Sequence, residues 1–388
     1  MTEKLFTGWQ GHNLDEILLQ CRELAENPDY PTVKKWREQG GKVVGAFQVY
    51  FPDELVHAAG MLPLKLRGAS LPPDESDSHF GSYLCSIIKT SLELVLSNRV
   101  ELDMFVTHPI CDAARNLAAI WGRNYDYTCQ ILYLPQNPNS SASVDYLSDE
   151  YNRLRRDLEE LAGVEITTEA LNNSIAVYNK NRELMRRLYD IKRETPWRIG
   201  ADDAYSLVAI GGMMLREEHN EFLEVVLPMI EAVEAKQEDR IRVVFEGAFC
   251  EQPPLGLIRT IGQSCYVVDD DFLIGMRYIL SDVKETDDPV RELAWAYIND
   301  SSYSPVQHDL NKRKEHMLLD RFNKAKGEAV IVAAAKMCEP GLEEQVAYIQ
   351  ALDEASIPYF VSEFEENMTS FASLELQLET FMENILFA

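Results

Sequence analysis

What this sequence lacks narrows its function first. Its 388 residues carry only 37 Lys and Arg against 64 Asp and Glu, a net charge of −27. With no excess of cations to neutralise phosphates, broad nucleic-acid binding is excluded, and an anionic bilayer would repel the surface. No apolar run is long enough to span a membrane, and the N-terminus has no basic stretch followed by an apolar core. The chain is therefore expected in the cytoplasm. It has no G-x-x-x-x-G-K-[ST] loop and no G-x-G-x-x-G turn after a strand, so it is expected neither to hydrolyse ATP nor to bind a dinucleotide itself. Its seven cysteines include no C-x-x-C pair, which removes the compact zinc and ferredoxin spacings. An odd number in a chain this long does not look like a disulfide framework either.

What is present reads as an ordinary globular protein, 46% hydrophobic and 26% charged, long enough for two or three units with sizeable cores. Up to about residue 140 strands alternate with helices. Strands are expected at Lys42–Tyr50, Leu62–Leu66, Met104–Thr107 and Gln130–Leu134, and helices at Asn13–Ala25, after Pro31, after Pro52, over Ser82–Ser97 and after Cys111. The Pro-, Asn- and Ser-rich run Gln136–Val144 marks a boundary. From 141 to 238 the pattern is helical, with Leu154, Leu158, Leu161, Leu184, Leu188 and Ile191 at heptad-like spacing. From 239 to 388 strands return at Ile241–Phe245, Cys265–Val268, Ala329–Ala333 and Ile357–Val361, with a helix at Gly341–Ala355. The predicted fold is α/β: two parallel-sheet lobes of the Rossmann or flavodoxin-like kind, 1–140 and 239–388, joined by a helical segment.

Three cysteines recur in one context, in which a strand leads through a short loop to a cysteine, an acid and a helix. These are Cys111-Asp112, Cys250-Glu251 and Cys338-Glu339. In an open α/β sheet ligands gather at the carboxyl ends of strands, and helix N-termini there favour the thiolate that metals require. Cys85 lies near the start of an apolar helix, after Gly81-Ser82-Tyr83. Cys21 and Cys129 fall on apolar faces and Cys265 inside a strand, so these three read as structural. Spacing alone does not establish a metal site, since a buried inert cysteine is the commonest fate of a single thiol.

Longer blocks carry a family resemblance. They are Val44–Phe47 with Pro52–Pro63, Leu84-Cys85-Ser86, Cys111–Leu117, Ala329–Pro340, and the helical block containing Asn179 and Arg182. Together they resemble the 2-hydroxyacyl-CoA dehydratase and benzoyl-CoA reductase family over nearly the whole chain. The length, and Phe249–Pro254 ahead of Val267–Asp271, look most like the smaller cluster-bearing subunit of the benzoyl-CoA reductase branch. The resemblance implies a 4Fe–4S cluster between the lobes, held by Cys85, Cys111 and Cys338 with one iron free of cysteine. It also implies a larger homologous cluster-bearing subunit, separate ATP-hydrolysing electron-activating subunits fed by ferredoxin, and an acyl-CoA substrate. The implied reaction is reduction of the aromatic ring of benzoyl-CoA to a cyclic dienoyl-CoA in anaerobic aromatic degradation. A (R)-2-hydroxyacyl-CoA dehydratase subunit, or a non-catalytic electron-transfer subunit, stands as the alternative. The stretch Met368–Leu376 departs from the family's C-terminal block, which often carries basic residues near a Thr-Arg pair.

Other residues invite two readings each. Glu54 and His57 share a helix face, either as polar groups near the site or as a satisfied first-turn acid and a surface histidine. His108 can donate a proton or hydrogen bond toward the site, or simply end a strand. Asp269-Asp270-Asp271 suggests a hard-cation site, but three consecutive acids more often form a solvated loop. Lys312-Arg313-Lys314, His316, Arg321, Lys324 and Lys326 form the only basic island, either for coenzyme A phosphates or as a solvated helix face.

Overall fold

The computed structural model describes residues 3–47, 51–81, 83–247, 253–271, 281–301, 309, 311–365 and 368–387. The first part of the chain runs α1 (Leu14–Glu26), α2 (Pro31–Glu38), β1 (Val43–Ala46), α3 (Asp53–Ala58), β2 (Leu62–Lys65), α4 (Ser86–Leu96), β3 (Met104–Thr107), α5 (Asp112–Trp121) and β4 (Thr128–Ile131). Four helices follow: α6 (Ser143–Ala162), α7 (Thr168–Glu194), α8 (Ala201–Ile210) and α9 (Arg216–Glu231). The last part runs β5 (Arg242–Glu246), α10 (Leu255–Ser264), β6 (Tyr266–Asp270), α11 (Pro289–Asp300), α12 (Lys314–Lys324), β7 (Ala329–Ala335), α13 (Glu339–Glu354), β8 (Tyr359–Phe364) and α14 (Ala372–Leu386). None of the described helices is long and apolar enough to cross a membrane.

The expected parallel sheets are both present. Their strand orders are β2-β1-β3-β4 and β6-β5-β7-β8, all pairs parallel. The central strands β1, β3 and β7 are buried along their whole length, as parallel strands covered on both faces must be. The edge strands β4 and β8 are partly exposed. In each sheet the order reverses beside the first strand, so a crevice opens between the C-terminal ends of the first and third strands. A large hydrophobic core runs through both sheets and the helices between them, and a smaller one lies where α12 and α13 cover the other face of the second sheet.

Local chemistry sets the helix ends. Asn13 caps α1 in a reciprocal box with Glu16, Pro31 opens α2, and Thr167 caps α7 through the Ala170 N–H at 3.1 Å. Gly247, just past β5, has φ +115°, and a Cβ there would come within 2.5 Å of the Ala333 carbonyl. Only glycine lets these two strand ends approach so closely.

Two expectations need correction. Cys265 lies not inside a strand but at the C-cap of α10, one residue before β6, with Sγ 3.2 Å from the Ile261 carbonyl. Asp269, Asp270 and Asp271 are not a solvated loop: they are fully or almost fully buried, and the first two complete β6. Their counter-charges come from distant helices. Arg193 and Arg321 hold Asp269 at 2.9 and 3.2 Å, while Tyr189 (2.5 Å) and Lys192 hold Asp270. Arg321 also reaches Glu246 at 2.5 Å, so the basic island is split, Arg321 turned inward and residues such as Arg313 left exposed.

Candidate functional site

Cys85, Cys111 and Cys338 each occupy the N-cap of a helix, of α4, α5 and α13 respectively. All three line one cavity of about 350 Å³ between the two sheets. The topology explains the convergence. Cys111 follows β3 and Cys338 follows β7, the third strands of two sheets with the same order, so each sits beside its own sheet's crevice. Phe47, at the end of β1, lines the same cavity. Its walls are otherwise mostly apolar, with Leu84, Ile87, Ile88, Ile110 and Pro340, and the acids Asp112 and Glu339 stand beside their cysteines.

The thiols are in contrasting electrostatic states. Burial raises the Cys111 thiol, while the Ala114 and Ala113 N–H groups at the start of α5 pull it down and the Glu339 and Asp112 charges push it up again. Cys111 Sγ accepts the Ala114 N–H at 3.4 Å. Cys21, Cys129 and Cys265 have no backbone N–H to offset burial, which drives each up to about 12, so they are neutral thiols at physiological pH. Cys250 lies outside the described residues.

The donor set is sulfur-rich and therefore soft. Among the described residues no three His, Cys, Asp or Glu side chains are grouped to hold a single ion. Three thiols spread around one cavity instead fit a polynuclear group that takes one thiol per metal. Gly341 in α13 leaves the Cys338 sulfur its space, since a Cβ there would approach Sγ to 3.3 Å.

The remaining candidates are engaged elsewhere. Glu54, 3% exposed, is ion-paired with Arg182 of α7. His57 bonds Ser174 Oγ at 2.8 Å and Glu217 at 2.9 Å, tying α3 to α7 and α9. Asn179 exchanges two hydrogen bonds with the backbone of Val283, at 2.7 and 2.9 Å. His108 is buried with Nδ1 3.0 Å from the Leu132 carbonyl; burial and then nearby Lys65 oppose its protonation, the carbonyl favours it, and the net is a fall to about 3. None of these four lines the cavity. Sequence reasoning missed two residues that do, Tyr83 and Met337.

Known proteins of similar sequence match this chain over most of its length. The family model described as 2-hydroxyglutaryl-CoA dehydratase, D-component, matches residues 48–385. A benzoyl-CoA reductase subunit of Thauera aromatica is 35% identical over 95% of this chain and 98% of its own. The beta subunit of lactoyl-CoA dehydratase from Anaerotignum propionicum is 27% identical over 95% of this chain and 99% of its own. The beta subunit of (R)-2-hydroxyglutaryl-CoA dehydratase from Acidaminococcus fermentans is 28% identical over 90% and 94%. A match that begins just past β1, runs into α14 and takes in every cysteine of the cavity identifies this chain as a member of the 2-hydroxyglutaryl-CoA dehydratase D-component family.

Proposed function

We propose that the chain is the smaller, cluster-bearing subunit of an ATP-dependent benzoyl-CoA reductase, with Cys85, Cys111 and Cys338 as the ligands of a 4Fe–4S cluster. The observation that carries this is the convergence of the three thiols, each at a helix N-terminus, on one cavity between the sheets. The choice of the reductase branch is supported by 35% identity to a benzoyl-CoA reductase subunit, against 27% and 28% to two dehydratase subunits.

When bound, the cluster supplies low-potential one-electron chemistry. The chain's own residues shape its surroundings. The N-terminus of α5 presents the Ala114 N–H to the Cys111 sulfur, which stabilises negative charge on that ligand. Cys111 must shed its proton on loading, so assembly is favoured by rising pH. Ile87, Ile88 and Ile110 keep the walls dry. His108 is neutral at physiological pH and donates its Nδ1–H to Leu132, joining the ends of β3 and β4 just ahead of Cys111. It therefore acts as a positioning residue rather than an acid. Substrate, sister subunit and ATP-using electron donor belong to the complex that the relatives' names, each a subunit, suggest.

The test is metal content. Chain purified without oxygen is expected to hold one 4Fe–4S cluster, and iron and sulfide near zero in an active preparation would sink the proposal. The dehydratase reading, favoured by the dehydratase relatives, is separated by electron stoichiometry: a reductase consumes reducing equivalents with every product, a dehydratase recycles them.

A further inference from the structure

Met337 stands where a turn asks for glycine. The Cys338 N–H donates to the Ala335 carbonyl at 3.1 Å, closing a four-residue turn whose third position is Met337, at φ +60°. Left-handed backbone at that position is the place of glycine or asparagine, because a Cβ crowds the following carbonyl. The folded chain gains little in return, since the side chain is 59% exposed and so buries little apolar surface. What that side chain does is line the cavity that holds Cys338. Tyr83, two residues ahead of Cys85, repeats the pattern. It is 72% exposed, lines the same cavity, and its ring lies so close over Gly81 that a Cβ there would come to 2.4 Å. Exposure thus falls on two side chains that flank two of the three thiols, and at Met337 strained backbone accompanies it.

We infer that Met337, assisted by Tyr83, is a shielding residue. The turn's strained backbone holds its side chain at the mouth of the cavity, where it slows the approach of water, oxygen and chelators to the thiols and to the group they hold. The inference deepens the cluster reading and rests on it for its purpose, but the shielding itself is measurable on the thiols alone.

The experiment compares the wild-type full chain with M337G and M337L. In the metal-free, reduced protein, alkylation of each cysteine by N-ethylmaleimide is followed by mass spectrometry. M337G is expected to accelerate modification of Cys338 and Cys111 severalfold, with Cys21 and Cys265 unchanged. Its thermal midpoint should equal or exceed the wild type, because glycine suits the left-handed turn. M337L, which restores the apolar bulk, should react as the wild type does. In iron-loaded protein, M337G should lose iron to a chelator severalfold faster. Equal alkylation rates in all three proteins overturn the inference. So does a lowered midpoint with acceleration at every cysteine, which would make Met337 a packing residue. A wild type that binds no iron, yet whose M337G variant still exposes Cys338 selectively, leaves the shield standing and removes the cluster reading instead.

Discussion

Among the cysteines, position relative to a helix separates two groups. Those at N-caps share the cavity, whereas Cys21, Cys129 and Cys265 are buried or half-buried thiols held up near 12. Replacing Cys85, Cys111 or Cys338 by Ala is expected to abolish iron binding, because each removes one of the three proposed ligands. The same change at Cys21, Cys129 or Cys265 should cost packing alone, on the order of 1 kcal/mol, with unchanged iron content. Cys250→Ala is also expected to keep its iron. Iron analysis and denaturant melts of the seven single variants check the ranking; iron lost from the Cys250 variant but kept in the Cys85 variant would reverse it. At this scale the sequence revealed the strand–loop–cysteine–helix context of Cys111 and Cys338. It carried no sign of Met337, since nothing about a methionine announces left-handed backbone.

Among the elements, α7 does the most to hold the two sheets in one frame. Its 27 residues span roughly 40 Å. Arg182 in its middle pairs with Glu54 of α3, and Lys192 and Arg193 near its end pair with Asp270 and Asp269 of β6. Removing one partner of such a buried pair leaves a charge with no counter-ion. Arg182→Met and Lys192→Met are each expected to destabilise by about 3–5 kcal/mol, whereas Arg182→Met combined with Glu54→Leu should recover most of the loss. Urea unfolding of the single and double variants measures the difference, and an additive double variant would refute the pairing. This is also where sequence reading failed. An Asp-Asp-Asp run looks solvated until its counter-charges are known, and these lie on α7 and α12, more than fifty residues away on either side. The strand–helix alternation, by contrast, was legible because parallel strands buried on both faces are unbroken apolar runs.

For the molecule as a whole, two buried histidines contribute to the loss of stability in acid. Burial and the neighbouring Arg216 charge depress His219 to about 3, although Nε2 bonds the Leu207 carbonyl at 2.8 Å; His108 is depressed to a similar value. In the unfolded chain both return to about 6.5. The unfolded state therefore binds more protons between those values. The stability the two neutral rings provide is complete above about pH 6.5 and is lost progressively as pH falls toward 3, at about 1.4 kcal/mol per pH unit for each ring. His219→Gln, which keeps an N–H for Leu207, should flatten the pH dependence of unfolding by about one proton. An unchanged slope between pH 6 and 4 would show that His219 does not titrate on unfolding.

The two sheets of identical strand order have one more consequence, which concerns the making of the protein. Cys85 and Cys111 leave the ribosome with the first sheet, but Cys338 follows the third strand of the second, roughly 230 residues later. At about 5–20 residues per second that interval is on the order of 10–45 s. For that time two of the cavity's three thiols stand on a chain still being made, with neither Met337 nor α13 in place to cover them. Any group that needs all three thiols can be seated only after Cys338 has been made. The nascent protein therefore passes through a period in which oxidation of Cys85 or Cys111 would spoil the site before it exists.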